Sequence, residues 1–285
     1  MVLIGLAGSR LHISIAVYVG GLFVSDLLTL DLSRGFHGSA TTIRLARIFQ
    51  ALSLCRQELQ GYYAGIHPSS RFDASFLYPH PITANTIPLP TINYDKYLGL
   101  DGSPIETAPD LGQRCTAIYT GSLDGGERVL IKFTHHYNKE AHDLLAKVGL
   151  APKLRFCNPV VGGVLMVVMD CIPEAKSVRQ FRDEGLSLPP VILGEVERAV
   201  TLLHNGGFVF GDLRDGNILY FKDQGGEERV MLVDFDWTGI DGVSRYSATL
   251  NRHGEWAKGV CPYGVMKKEH DLWQIKRLKE LITGL

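Results

Sequence analysis

The chain has 285 residues, 45% hydrophobic and 21% charged, and a formal net charge of -1. This length supports a sizeable core and up to two domains. Near-neutrality leaves no global field for nucleic acid or an anionic membrane, so partners must be recognised by local sites. Five scattered cysteines (Cys55, Cys115, Cys157, Cys171 and Cys261) include no C-x-x-C pair. An odd number without metal spacing argues against a disulfide framework or zinc site, and for a reducing intracellular compartment, cytoplasmic or nuclear. Arg10, His12 and Asp26 interrupt the apolar N-terminal stretch before it reaches membrane-spanning length.

The first predicted element is a hairpin. Leu11, Ile13, Ile15, Val17 and Val19 alternate with less apolar residues, and Gly20-Gly21 offers a tight turn. A helix is expected from about Thr41, with Leu45, Ile48, Phe49, Leu52, Cys55 and Leu59 as its apolar stripe. Prolines 68, 79, 81, 88 and 90 then mark a linker, or a belt over another surface. "CTAIYTGSL" and "RVLIKFT" read as a second hairpin, and "NKEAHDLLAKVG" as a helix closed by Gly149 and Pro152. Strands follow at "LRFCNPV" and "VLMVVMDCI". The helix "PPVILGEVERAVTLLHNGG" has Ile192, Val196, Ala199, Val200 and Leu203 on its buried face. Short strands "FVF", "NILYF" and "RVMLVDF" precede a terminal helix, "EHDLWQIKRLKELI".

The stretch "FGDLRDGNILYF" concentrates charge between apolar strands. Asp212 and Asn217 stand five apart, and Asp234 ends the third short strand. If the strands on either side of "KDQGGEE" pair, Asn217 and Asp234 emerge at one end. Two oxygen ligands there suit a magnesium ion that keeps waters and phosphate oxygens. Asp212 then stands where a base would receive a hydroxyl proton. Individually, these residues also suit ordinary turns, and Lys132 in "LIKF" suits a solvated strand position.

Together, "VLIKF", "EAHDLLAKVGLAPKL", "FGDLRDGNIL", "VDFDW" and "EHDLW" resemble the protein-kinase-like fold, and in particular the compact fungal-type protein kinases. Gly211-Asp212 is similar to the H-G-D loop of aminoglycoside and choline kinases. The resemblance covers about residues 96–285 and implies a bilobal α+β fold. Its parts are an N-terminal hairpin-and-helix extension (1–60), a Pro-rich linker (61–95), an antiparallel-sheet N-lobe (96–172) and a shortened, mostly helical C-lobe (173–285). It also implies ATP and Mg as cofactors, and as partner a hydroxyl-bearing acceptor, protein or small molecule. Nucleic acid and membrane are not implied.

The resemblance further implies residue roles. Lys132 would hold phosphates, with Glu140 as its helix partner, although Glu140 reads nearly as well as part of a solvated face. Met169, Asp170, Cys171 and Ile172 would form the adenine-facing hinge. Asn217 and Asp234 would bind metal, Asp212 would be the base, and Arg214 would steady the transferring phosphoryl group. Asp271 would hold the catalytic loop from below, or serve as an acid at a helix start.

Three departures stand out. In "LGQRCTAIY" only Gly112 remains of a glycine-rich loop, with Arg114 where a second glycine would stand. Gly211 replaces the arginine that reads an activating phosphate, and Asp236 replaces the glycine of D-F-G. The leading expectation is a kinase-like phosphotransferase, with protein Ser/Thr as favoured acceptor. The alternative is a pseudokinase that binds nucleotide weakly or not at all and serves as an interaction module.

Overall fold

The computed structural model describes residues 2–18, 22–32, 39–65, 78–99, 104–105, 117–248, 250 and 254–283. It divides into two units, residues 1–79 with 110–114, and residues 80–109 with 115–285. In the first unit, β1 (Val2–Ala7), β2 (Arg10–Tyr18) and β3 (Leu22–Asp31) form an antiparallel meander. The expected hairpin is β2–β3, and its Gly20-Gly21 turn lies outside the described residues. β1 adds a third strand that alternation does not reveal, because "VLIGLA" has no polar side chain to set a period of two. Gly8, at φ +60°, makes the β1–β2 turn.

The helix α1 (Ser39–Ala64) forms as expected and runs past residue 60. Its stripe is not a buried one. None of the described α1 side chains is buried, and Phe49 and Leu59 remain nearly half exposed. Helical spacing reports which residues share a face, not whether anything covers it.

The second unit begins with a six-stranded antiparallel sheet in the order β5-β4-β6-β7-β9-β8. Its strands are β4 (Ile92–Leu98), β5 (Pro104–Ile105), β6 (Ala117–Leu123), β7 (Arg128–Thr134), β8 (Leu154–Val160) and β9 (Val164–Asp170). β4 starts inside the stretch read as linker, where Pro88 and Pro90 mask the strand signal from Ile92 onward. The chain around Ile82–Ala84 runs along β8, with Val161 N–H donating to the Ile82 carbonyl at 2.8 Å. It thereby covers an edge strand.

Between β7 and β8 lies α2 (Lys139–Ala146), capped by the Asn138 side chain, which accepts from Ala141 N–H. The helical half comprises α3 (Val178–Asp183), α4 (Val191–Asn205) and α5 (Lys268–Thr283). Packed with it are the short strands β10 (Lys176–Ser177), β11 (Phe208–Val209), β12 (Ile218–Lys222), β13 (Glu228–Leu232) and β14 (Gly239–Ile240). α4 buries Ile192, Val196, Ala199, Val200 and Leu203, the stripe its periodicity predicts. These join Phe210, Leu213, Ile218, Leu232 and Phe235 in one core.

Sheet plus helical half is the bilobal α+β arrangement expected. The two strands flanking residues 222–228 pair as supposed, whereas the short strand before residue 212 belongs to a different ladder. β11 pairs with β14, and β12 pairs with β10 and β13. The polar bend therefore crosses between two ladders.

Among the described residues no helix is long and apolar enough to cross a membrane. Cys157 is buried and Cys171 half-buried, but Cys55 and Cys261 are exposed, not the small buried hydrophobes that free cysteines commonly are.

Buried His142 contributes to the dependence of stability on pH. The His142 ring stacks on Phe235 at 4.6 Å, its Nε2–H donates to the Pro152 carbonyl at 2.7 Å, and Nδ1 meets the Tyr137 hydroxyl at 2.6 Å. Burial lowers its pKa, against the raising effects of the Pro152 bond and the neighbouring Asp143 charge. The unfolded chain takes up a proton below about pH 6.5 that the folded chain resists. The contribution of His142 is therefore fully present above that pH and falls as pH drops through it. Between about pH 7 and about pH 5.5 the parent should lose melting temperature relative to His142→Phe as pH falls. That difference in slope stands whatever the raised Asp212 and Asp236 carboxyls, which act with the opposite sign in this window, contribute to both proteins. The variant's plateau should be lower. An unchanged slope would contradict the assignment.

Candidate active site

β7 places Lys132 opposite Ile118 of β6 and Val167 of β9, on one face of the sheet. The side chain is buried, with Lys132 4% exposed. A buried ammonium needs partners, and Nζ lies 2.6 Å from Asp234 Oδ1 and 2.7 Å from Asp236 Oδ1. The two aspartates come from the segment leaving β13, where a 3-10 turn spans Phe235–Trp237. Asp234 has φ 70° and ψ 70°, a left-handed conformation that a non-glycine residue holds only under constraint. Phe235 supplies that constraint. It is fully buried against Phe210, His142 and Tyr137.

The polar bend is held from beneath. Asp271, in the first turn of α5, is 0% exposed and accepts from Phe210 N–H at 2.8 Å, Gly211 N–H at 2.9 Å and His204 Nε2 at 2.9 Å. Gln274, three residues on, accepts from Leu213 N–H at 3.0 Å. One acid and one amide of α5 thus hold three N–H donors of the bend, those of residues 210, 211 and 213 on either side of Asp212.

Asp212 is buried, and its Oδ2 accepts from Asn217 Nδ2 at 2.9 Å and pairs with Arg214 Nε at 3.1 Å. Arg214 also reaches Asp234 Oδ2 at 3.8 Å. Asn217 closes a short 3-10 turn, and its Nδ2 also donates to the Asp212 carbonyl at 2.9 Å. Its backbone carbonyl accepts from Val233 N–H at 3.0 Å, which sets Asn217 beside the residue preceding Asp234. Lys132, Asp234, Arg214, Asp212 and Asn217 therefore form one unbroken chain of polar contacts.

The electrostatics differ between the carboxyls. Burial pushes Asp212 up to about 7, against the lowering effect of Arg214. Burial also pushes Asp236 up to about 6, against the pull of Lys132. For Asp234 burial acts upward too, but the Lys132 charge and hydrogen bond prevail and its pKa falls below the ordinary carboxylate value. Lys132 stays charged, because the two carboxylates outweigh its desolvation.

Asn217 commits its amide nitrogen to Asp212, so the amide oxygen is the atom available to a cation. Asp234 is partly open, with its side chain 29% exposed. Among the described residues no group of three or more His, Cys, Asp or Glu is placed to hold a metal alone. Two oxygen donors beside an ammonium fit a magnesium ion completed by phosphate oxygens and water.

The chain is similar in structure to the PK-1 kinase of Cydia pomonella granulovirus, at 17% sequence identity and a TM-score of 0.47, over 65% of this chain and 67% of that one. No protein-family model and no curated protein matches it in sequence.

One expected site residue stands elsewhere. Glu140 is exposed in the first turn of α2 and is not a partner of Lys132. α2 begins at Lys139, only seven residues beyond Lys132, and its acid lies at the helix start, where the dipole favours it. Asp236 takes the lysine instead. The available signal was a carboxylate at 236 in place of the glycine of D-F-G. Gly112 lies outside the described residues, as does Arg114.

In the hinge stretch, the N–H groups of Asp170 and Cys171 donate to the Lys153 and Arg128 carbonyls at 2.9 and 3.0 Å. The Met169 side chain packs against Cys157 and Val167, and the Asp170 carboxylate pairs with Arg155. The Ile172 N–H takes part in neither of these two bonds.

Gly211 has a physical reason for its identity. It holds φ +81°, and an added Cβ would stand 2.4 Å from Met266 Cε and 3.0 Å from the Trp237 carbonyl. Gly211→Ala should cost at least about 1–2 kcal/mol through its left-handed backbone alone. Gly211→Arg should cost more. Urea unfolding would check this, and an unperturbed midpoint in either variant would contradict it.

Proposed function

We propose that this chain is a protein-kinase-like phosphotransferase that moves the γ-phosphoryl group of Mg-ATP to a hydroxyl acceptor, with a protein Ser/Thr hydroxyl favoured. The observation that carries this reading is the unbroken contact chain from Lys132 through Asp234, Arg214 and Asp212 to Asn217. Four of those residues come from two loops held against one lobe's helices, and the fifth from the facing sheet. No structural need for a core would gather two carboxylates, an amide and two cations at that seam.

Lys132 sets a fixed positive charge where anionic phosphates would lie, at the inner face of the sheet. The Asn217 amide oxygen and the Asp234 carboxylate would hold magnesium, which when bound neutralises charge on the phosphates. Asp212 accepts the acceptor hydroxyl's proton while Asn217 and Arg214 keep its carboxylate aimed. Arg214, half exposed and reaching both Asp212 and Asp234, steadies the equatorial oxygens of the group in transit. The Ile172 N–H and neighbouring carbonyls present the adenine edge.

The test is incubation of the full chain with γ-labelled ATP and magnesium, scoring labelled phosphate on protein or released to water. Turnover that Asp234→Ala abolishes supports the reading. Turnover unaffected by that substitution, or none at all with Mg-ATP, overturns it.

A further inference from the structure

The two carboxylates on Lys132 are not equivalent. Asp234 gives one oxygen to the ammonium and directs the other toward Arg214, and its side chain is open enough to meet a ligand. Asp236 is more enclosed, its side chain 15% exposed, and both its oxygens face β7. Oδ1 lies 2.7 Å from Lys132 Nζ, and Oδ2 accepts from the Thr134 hydroxyl at 2.8 Å. Lys132 and Thr134 are two apart on one strand, so they share a face. One carboxylate bridges them.

The turn carrying Asp236 is also fastened by Asn138. Asn138 donates its Nδ2 to the Thr238 carbonyl at 3.1 Å and its N–H to the Phe235 carbonyl at 3.1 Å, while its Oδ1 caps α2 at Ala141. Helix α2 therefore contributes to the lysine's position without touching it. It anchors the loop that does.

We propose that Asp236 is the residue that positions Lys132 for the nucleotide phosphates, so that Asp234 can turn its carboxylate to the metal without stranding a buried ammonium. This rests on the phosphotransfer reading. It goes beyond that reading by giving the lysine's partner to the metal-binding loop, where the helix acid Glu140 was expected. Because Asp234 and Asp236 sit on one short turn, lysine alignment and metal ligation are set together. Moving the turn outward would break the Lys132–Asp236 pair, the Thr134 bond and both Asn138 bonds at once.

The test is a double-mutant cycle read by nucleotide affinity, using a fluorescent ATP analogue with excess magnesium and the full chain. Asp236→Asn should weaken binding about tenfold, as loss of one charge-assisted bond to the lysine implies. Lys132→Met should weaken it at least as much, and the double variant no further than Lys132→Met alone. Without nucleotide, melting temperatures should show residues 132 and 236 coupled and residues 132 and 140 uncoupled. If Asp236→Asn fails to fold, Thr134→Val, which keeps every charge, should show the same non-additivity with Lys132→Met. Additive losses of affinity, or coupling of Lys132 to Glu140, would overturn the assignment while leaving phosphotransfer intact. Absence of nucleotide binding by the unaltered chain would overturn both, and is distinguishable for that reason.

Discussion

Asp271→Ala should destabilise the chain by about 3–5 kcal/mol, the usual cost of removing one partner from a buried, fully bonded charge. The residue accepts from the Phe210 and Gly211 amides and from His204, and it is fully buried. Alanine leaves two buried N–H groups without acceptors, each costing about 1–3 kcal/mol, and opens a void beneath the bend. Asp271→Asn is the informative companion. It restores one acceptor oxygen but turns an N–H₂ toward a donor, so it should recover only part of the loss. Denaturant unfolding of the three proteins checks the order. If Asp271→Ala melts like the parent chain, the bend is not held from α5, and Asp212 loses its support.

The second large effect concerns Asp212. Asp212→Asn should lower turnover by about 10²–10⁴-fold, the range that a general base contributes, while nucleotide affinity changes only a few-fold. Asparagine has the same shape and can still pair with Asn217 or Arg214, but it cannot take a proton. The split between kcat and affinity separates this role from a structural one, since collapse of the bend would degrade both. Turnover within about twofold of the parent would remove Asp212 from the chemistry.

Much of this was legible in the sequence, for identifiable reasons. The stripe of α4 is the stripe that is buried, because a helix inside a core must hide every residue of its apolar face. The loop residues were legible because Asp212, Asn217 and Asp234 are spaced by the paired strands β12 and β13, and pairing fixes which ends meet. The partner of Lys132 was not. Along the chain Glu140 is near and Asp236 is 104 residues away, and only the fold brings the second one closer. Nor could alternation find β1, whose strand is apolar throughout, or tell that the face of α1 stays uncovered. The pairing of β11 with β14, not β12, was equally hidden, because two-residue strands carry no period.

The measurement that bears most directly on the central claim is thermal melting of the full chain with ATP, with and without magnesium, for the parent and Asp234→Ala. At a hundredfold excess over Kd, bound nucleotide stabilises the folded state by about 2.7 kcal/mol, a rise of several degrees for a chain of this size. The account expects that rise in the parent only when magnesium is present, and its loss in the variant. A rise of equal size in Asp234→Ala, or none in the parent at millimolar ATP, would contradict it.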